Sequence, residues 1–341
     1  MTKYDYEGHN MKTRNANIQA GFSRRSVLAT GVGAAAVATV AASAKVAAAA
    51  AKPSITGPYL DLTTGQGNML AMARIVGDLD LSKQKHGWYR GVAMGFRPDE
   101  AGRDLFGVMG MGTGRLIPMD DKPGFTNVRR ECGYYYDLET GEVLDTWVNP
   151  YTNEEVEVLH IANPQINAPL EPVVRGAKLY DDPVEAEKAA EPFLLDWQVA
   201  GDLLFAERHA HLYAKNPLDP EVWVRESAGP MIRITDSTSY MVSLADMQNP
   251  DLTTINETGK WVHVRPWQPF MLMGDSPGHF MFRCFTGSAS SLDDMPADIV
   301  AVVKDRNPDF LNAPTEIKPS VPGMVRFKRD RTPAPPRKTE G

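Results

Sequence analysis

The sequence predicts a mainly β protein, an antiparallel meander closing into a barrel-like body with a few peripheral helices. Three observations point there. Apolar residues recur at every second position through most of the chain after residue 85, turn signals separate these runs at short intervals, and helical periodicity is confined to three short segments. A strand alternates its side chains between two faces, so a period of two is what a half-buried sheet requires.

In order along the chain, ITGPYLDLTTGQGNMLAMARIVGDL predicts a helix after Thr64. HGWYRGVAMGFRP (86–98) and RDLFGVMGMGTGRLIP (103–118) read as strands joined by a PDEAG turn. Three more follow at Gly133–Asp137, Val143–Val148 and Val156–Ile161, with turns at LETGE and NPYTNE. DDPVEAEKAAEPFLLDW predicts a short helix near Asp182, with Pro183 at a tolerated first-turn position. Strands then recur at 202–213, 221–227, 230–235, 239–244, 260–267 and 278–286, and MPADIVAVVKDRNPDFL predicts a helix from Pro296 to Asp305. Sequential hairpins of this kind fit a lipocalin-like barrel. Residues 52–315 are read as one domain, and 316–341, rich in proline and basic residues, as an irregular tail that wraps the body or frays.

The first 51 residues carry a different message. In GFSRRSVLATGVGAAAVATVAASAKVAAAAAKP, Arg24 and Arg25 follow Ser23 and precede Val27, Leu28 and a weakly apolar Ala/Gly/Val run. This resembles a bacterial twin-arginine export signal, with small residues at Ala42, Ser43 and Ala44 and again at 47–51 offering cleavage sites. A spanning helix needs about 20 strongly apolar residues, and Lys45 interrupts the run. The expected product is therefore periplasmic or otherwise exported, with the twin-arginine machinery as a partner and no stable membrane span after cleavage. Cleavage after residue 51 leaves 30 basic against 41 acidic residues, a net charge of −11, which argues against nucleic acid or anionic lipid as a partner. Cys132 and Cys284 are the chain's two cysteines, so no disulfide framework or Cys-based zinc spacing exists, although one bridge between them is open.

YRGVAMGFRPDEAGRDLFGVMGMGTGRLIP, GYYYDLETGEVLDTWVNPYTNEEVEVLH and WVHVRPWQPFMLMG together resemble the bacterial DUF1838 family, over roughly residues 58–315. The resemblance implies a twin-arginine leader. It implies no chemistry, which must come from the residues.

ERHAHLY (207–213) puts Glu207, His209, His211 and Tyr213 on one face of a strand, opposite Leu204, Ala206, Arg208, Ala210 and Leu212. The polar set suits three readings. It is an acid/base group with His209 or His211 as base, Glu207 orienting it and Tyr213 as acid; or a transition-metal site on His209 and His211, completed by His160, His263 or His279; or a solvated face. WVHVRPWQPF (261–270) places Trp261, His263, Arg265 and Trp267 together, which reads as the lining of an amphipathic pocket or as a packed aromatic girdle. Trp147, in DTWVNPY, and Arg90, in line with Trp88, fit the same ligand-binding description, Arg90 being able to meet a carboxylate or phenolate. GVMGMGTGRL lacks phosphate-loop spacing, so its glycines are read as places of close approach or strand bending.

The functional expectation is an exported protein with an internal pocket for a small apolar or aromatic molecule, working as a cofactor-independent lyase or isomerase by proton transfer. A non-catalytic periplasmic carrier of the same ligand is the alternative, and a metal-dependent oxygenase or hydrolase with an HxH site is the third reading.

Overall fold

The computed structural model describes residues 57–174 and 190–337. The expected export leader and the helix expected near Asp182 lie outside the described residues. The first element is α1 (Gly65–Val76), which begins where Thr64 Oγ1 accepts a hydrogen bond from Gly67 N at 3.0 Å. Three long strands follow, β1 (Lys85–Phe96), β2 (Arg103–Pro118) and β3 (Phe125–Tyr136), then the short hairpin β4 (Thr146–Val148) and β5 (Glu155–Glu157). After β6 (Ile161–Leu170) come the two-residue pair β7 (Val173–Val174) and β8 (Glu191–Pro192) and the short β9 (Gln198–Ala200). The second half carries β10 (Leu203–Lys215), β11 (Met231–Ser243), the single turn α2 (Leu244–Met247), β12 (Thr258–Arg265) and β13 (His279–Ala289). Two helices, α3 (Ala297–Arg306) and α4 (Gly323–Asp330), close the described chain.

Nine strands make one antiparallel sheet in the order β6-β3-β2-β1-β13-β12-β11-β10-β9. It is a meander whose first and last long strands meet, His86 opposite Ala289 through Phe96 opposite His279. The sheet curls into a half-barrel. Across its open side lies α1, buried on nearly every side: Met69, Met72 and Ile75 pack with Leu116 of β2, Leu170 of β6, Leu204 and Ala206 of β10 and Val242 of β11. A helix apolar all round belongs in a core, and this one plugs the concave side.

The alternation of side chains divides the sheet cleanly. On the concave face Tyr89, Ala93, Phe106, Val108, Tyr135, Phe280 and Phe282 pack with Trp267, Phe270 and Met271 from the loop after β12. On the convex face Met109, Met111, Cys132 and Tyr134 are covered by Ile299, Val300 and Val303 of α3. The glycines of GVMGMGTG serve close approach, as expected: a Cβ at Gly110 would stand 2.4 Å from the Tyr89 ring, and one at Gly133 of β3 would stand 2.1 Å from its hydroxyl.

Six features differ from the sequence reading. β3 starts at Phe125, eight residues before the expected Gly133, and the strand expected at Val156–Ile161 is split between β5 and β6, which begins at Ile161 and continues to Leu170 through Pro164 and Pro169. Both prolines sit on an edge strand, where a missing N–H breaks no ladder. Residues 221–227 form turns rather than a strand, and the strands expected at 230–235 and 239–244 are one, β11. The tail contains α4, whose Phe327 packs on Leu218 and Trp223. Cys132 and Cys284 are free buried thiols, packed on opposite faces of the sheet, so they form no bridge.

Candidate functional site on the concave face

β12 turns Trp261, His263 and Arg265 inward, opposite Cys284, Phe282 and Phe280 of β13. Trp261 stacks on Phe282, with ring centres 5.2 Å apart and planes 18° from parallel, and meets the Tyr89 ring edge-on at 5.3 Å. On the neighbouring strand Asp236 stands directly opposite His263. Its Oδ1 accepts a 2.6 Å hydrogen bond from Trp261 Nε1, and its Oδ2 lies 3.5 Å from His263 Nδ1. Burial by itself would raise the Asp236 carboxyl, but His263, Trp261 and nearby Arg129 together hold it below the usual carboxylate range. The His263 side chain is 14% exposed and Asp236 41%, so the pair lies at the wall of an open trough.

The trough is bordered by charge from the strands next to both edges of the sheet. Arg129 of β3 and Arg208 of β10 both bear on the Tyr240 hydroxyl of β11 and draw it down, against a larger upward push from burial. Glu131 of β3 accepts a hydrogen bond from Asn163 Nδ2 of β6 at 3.0 Å. Tyr135, its hydroxyl raised by burial, accepts from Gln268 Nε2 at 3.4 Å. At the far end of the β12 row, Arg265 Nη2 donates to Met324 Sδ of α4 at 3.6 Å, while its Nε is buried without a partner. Arg265 lines a cleft of about 10 Å³ with Asn216, Glu226, Ile232, Trp267 and Met324. That is room for about one water.

The residues expected to act together fall into separate places. Trp261, His263 and Arg265 share the concave face, and Trp147 joins it through an edge-on contact with Phe106 at 5.2 Å. Glu207, His209, His211 and Tyr213 are exposed on the convex face. There His209 Nδ1 is 2.8 Å from Ser237 Oγ, His211 Nδ1 is 3.2 Å from Thr235 Oγ1, and Glu207 Oε2 is 3.4 Å from His209 Nε2. Tyr213 lies beneath the Arg233 guanidinium at 5.5 Å. His263 is on the other face and His279 stacks on Phe96, so neither joins that pair. His160, held near pH 4 chiefly by burial, accepts from Tyr135 N through Nδ1. Among the described residues no three His, Cys, Asp or Glu side chains gather as a metal site would need. Arg90 does meet a carboxylate, that of Asp298 on α3, and so stands on the convex face rather than beside Trp261.

Asp236 is the site residue the sequence reading passed over, since it lies in the polar run TDSTS where a break between strands was expected. Its signal was there: an acidic residue in step with Ile232, Ile234, Tyr240 and Val242 at even spacing.

Set against known proteins, residues 82–330 match a family model described as a protein of unknown function, DUF1838. No curated protein matches the chain.

Proposed function

The chain belongs to the DUF1838 family, and we propose that it is an exported small-molecule enzyme, a lyase or isomerase that works by proton transfer on the concave face of its sheet. The observation that carries this reading is the Asp236 carboxylate, which faces both Trp261 Nε1 and His263 Nδ1 at the wall of an aromatic trough.

The chemistry follows from the arrangement. His263 Nδ1 lies 3.5 Å from Asp236 without a hydrogen bond between them; a small rotation of the ring makes that bond, leaves Nε2 to take a proton from a bound molecule, and lets the carboxylate stabilise the imidazolium that results. The proton goes back to another atom of the same molecule in an isomerisation, or to the leaving group in an elimination. Trp261, backed by the buried rings of Tyr89 and Phe282, supplies a flat apolar wall for an aromatic or aliphatic body. Arg265 lies two residues along the strand from His263, about 7 Å away, where it meets negative charge. His209 and His211 lack such a wall, having solvent on their side of the sheet. Export rests on Arg24 and Arg25 with the apolar run behind them.

The test is deuterium incorporation. Small aromatic ketones and keto acids are incubated with the purified protein in D₂O and weighed by mass spectrometry. Incorporation into at least one compound, lowered about 100-fold or more by His263→Gln and by Asp236→Asn, is the expected result. Retention of a compound without exchange would make the protein a carrier instead, and exchange that survives His263→Gln would remove the base from this site.

A further inference from the structure

We infer that the cleft beneath α4 is a subsite for the carboxylate of the substrate, held by Arg265 and closed in this structure by Met324. This rests on the concave-face reading above and names the substrate class, a monocarboxylate with an apolar body.

A guanidinium offers five N–H donors in a planar fork that matches a carboxylate. Arg265 uses this fork poorly. Its bond to Met324 is to a thioether, a weak acceptor, and its Nε is buried with no partner. Apart from Glu226, the rest of the cleft is Asn216, Ala228, Ile232, Ile234, Pro266 and Trp267, mostly apolar. Arg265 makes no ion pair with Glu226, the carboxylate of the same cleft, and an unpaired buried cation is costly; burial draws its pKa down.

Met324 is suited to a gate. It is unbranched, with three rotatable bonds, and sits in the first turn of α4, which is anchored elsewhere. Phe327 is packed on Leu218 and Trp223, with Met324 against the side of that cluster, and Arg326 Nη2 donates to Asn163 Oδ1 at 2.7 Å. Swinging the thioether aside would free the cleft without moving the helix. Glu226 also lines the cleft, is 3% exposed, and has one carboxylate oxygen on Ala334 N and the other unpartnered. That fixed negative wall selects a singly charged carboxylate over phosphate or sulfate. A carboxylate seated on Arg265 puts the two or three carbons attached to it alongside His263, which is where a proton would be taken.

The experiment is calorimetric titration of the full chain with benzoate, and with inorganic phosphate. Benzoate should bind, phosphate should bind at least 10-fold more weakly, Arg265→Met should weaken benzoate at least 10-fold, and Met324→Ala should tighten it several-fold. Near-ultraviolet circular dichroism establishes that each variant is folded; if Arg265→Met is not, Met324→Ala and Arg265→Lys decide. Benzoate binding unchanged in the arginine variant, absent even with Met324→Ala, or matched by phosphate would overturn the subsite. His263→Gln separates the two proposals: it should abolish deuterium exchange and leave benzoate affinity within about two-fold, so binding without exchange in the wild type would sink the catalytic reading alone.

Discussion

At the scale of single residues, space is as specific as chemistry. Trp261 can lie against Tyr89 only because Tyr89 itself lies flat on two glycines, Gly110 and Gly133, whose missing side chains are filled by its ring and hydroxyl. Behind it, Gly91 lets β1 approach β13 so closely that a Cβ there would stand 2.0 Å from Arg283 O and 2.6 Å from Cys284 Cα. Both obstacles are backbone, which cannot rotate away. Gly91→Ala is therefore expected to destabilise the protein by about 1–3 kcal/mol, as overpacking does, and to loosen the floor under Trp261. Urea unfolding gives the first and the near-ultraviolet signal of the tryptophans the second; a variant as stable as wild type would show that the β1–β13 seam yields. The same consideration explains why the glycine-rich run is no phosphate loop. Gly107 and Gly110 face the rings of Tyr136 and Tyr89, and Gly112 and Gly114 the neighbouring strand, not a helix N-terminus.

At the scale of elements, α1 takes the place of the strands that would close the barrel, and one buried polar side chain ties it in. Asn68, with no exposed surface, donates from Nδ2 to Leu62 O at 2.7 Å and Thr64 O at 2.8 Å, and accepts at Oδ1 from Leu195 N at 3.0 Å and Trp197 Nε1 at 2.7 Å. Those partners join the loop before α1 to the segment leading into β9. Asn68→Ala strands three groups, Leu62 O, Leu195 N and Trp197 Nε1, while Thr64 O keeps its bond from the backbone N–H of residue 68; at about 1 kcal/mol or more for each unmet buried partner this should cost about 3–4 kcal/mol, read as a lower urea midpoint with unchanged slope. A loss under 1 kcal/mol would mean that α1 is held by its apolar faces alone. The sequence made α1 legible through Thr64 and the apolar spacing behind it, but its depth was hidden, because small residues such as Ala71 and Ala73 carry little hydropathy signal while fitting tightly. The long strands were legible for the opposite reason, their strict alternation over a core. β6 was not, since IANPQINAPL is an edge strand half-exposed along its length with two prolines. β11 was cut in two for a related cause: at Asp236 and Thr238 its inner face lines the trough, so the apolar alternation lapses where the candidate site begins. The mixed faces of β1, β10 and β12 looked alike as text. Register alone decides which of them points inward, and register is not written in one strand.

At the scale of the whole molecule, the plug and the sheet are stitched by a buried ionic knot, and the knot is sensitive to pH. Arg74, at the end of α1, donates to the carbonyls of Met247 at 2.8 Å, Asp246 at 3.0 Å and Asn249 at 2.7 Å. Lys85, the first residue of β1, reaches Arg74 O at 3.1 Å, Thr254 Oγ1 at 2.8 Å and Ile255 O. Beside it is Glu257, 9% exposed, with one carboxylate oxygen unpartnered. Burial raises the Glu257 carboxyl from 4.5 to about 7, with Lys85 opposing, and lowers the Lys85 ammonium from 10.5 to about 7, with Glu257 and Asp78 opposing. The signs follow from linkage. A raised carboxyl means the folded chain keeps a proton that the unfolded chain loses near pH 4.5. Its contribution is fully present below that pH, and stability falls as pH climbs to about 7, by up to about 3 kcal/mol. A lowered ammonium means the folded chain sheds a proton that the unfolded chain keeps to 10.5, so its penalty is full below pH 7 and is relieved between pH 7 and 10.5. The two slopes meet, and stability should pass through a minimum near pH 7. Glu257→Gln, which cannot ionise, should remove the fall between pH 5 and 7 and leave the rise above it. Urea midpoints at pH 5, 7 and 9 for both proteins decide the matter: the same fall in the variant would place its origin outside this knot, and a flat wild-type profile would mean that Lys85 and Glu257 stay charged together throughout.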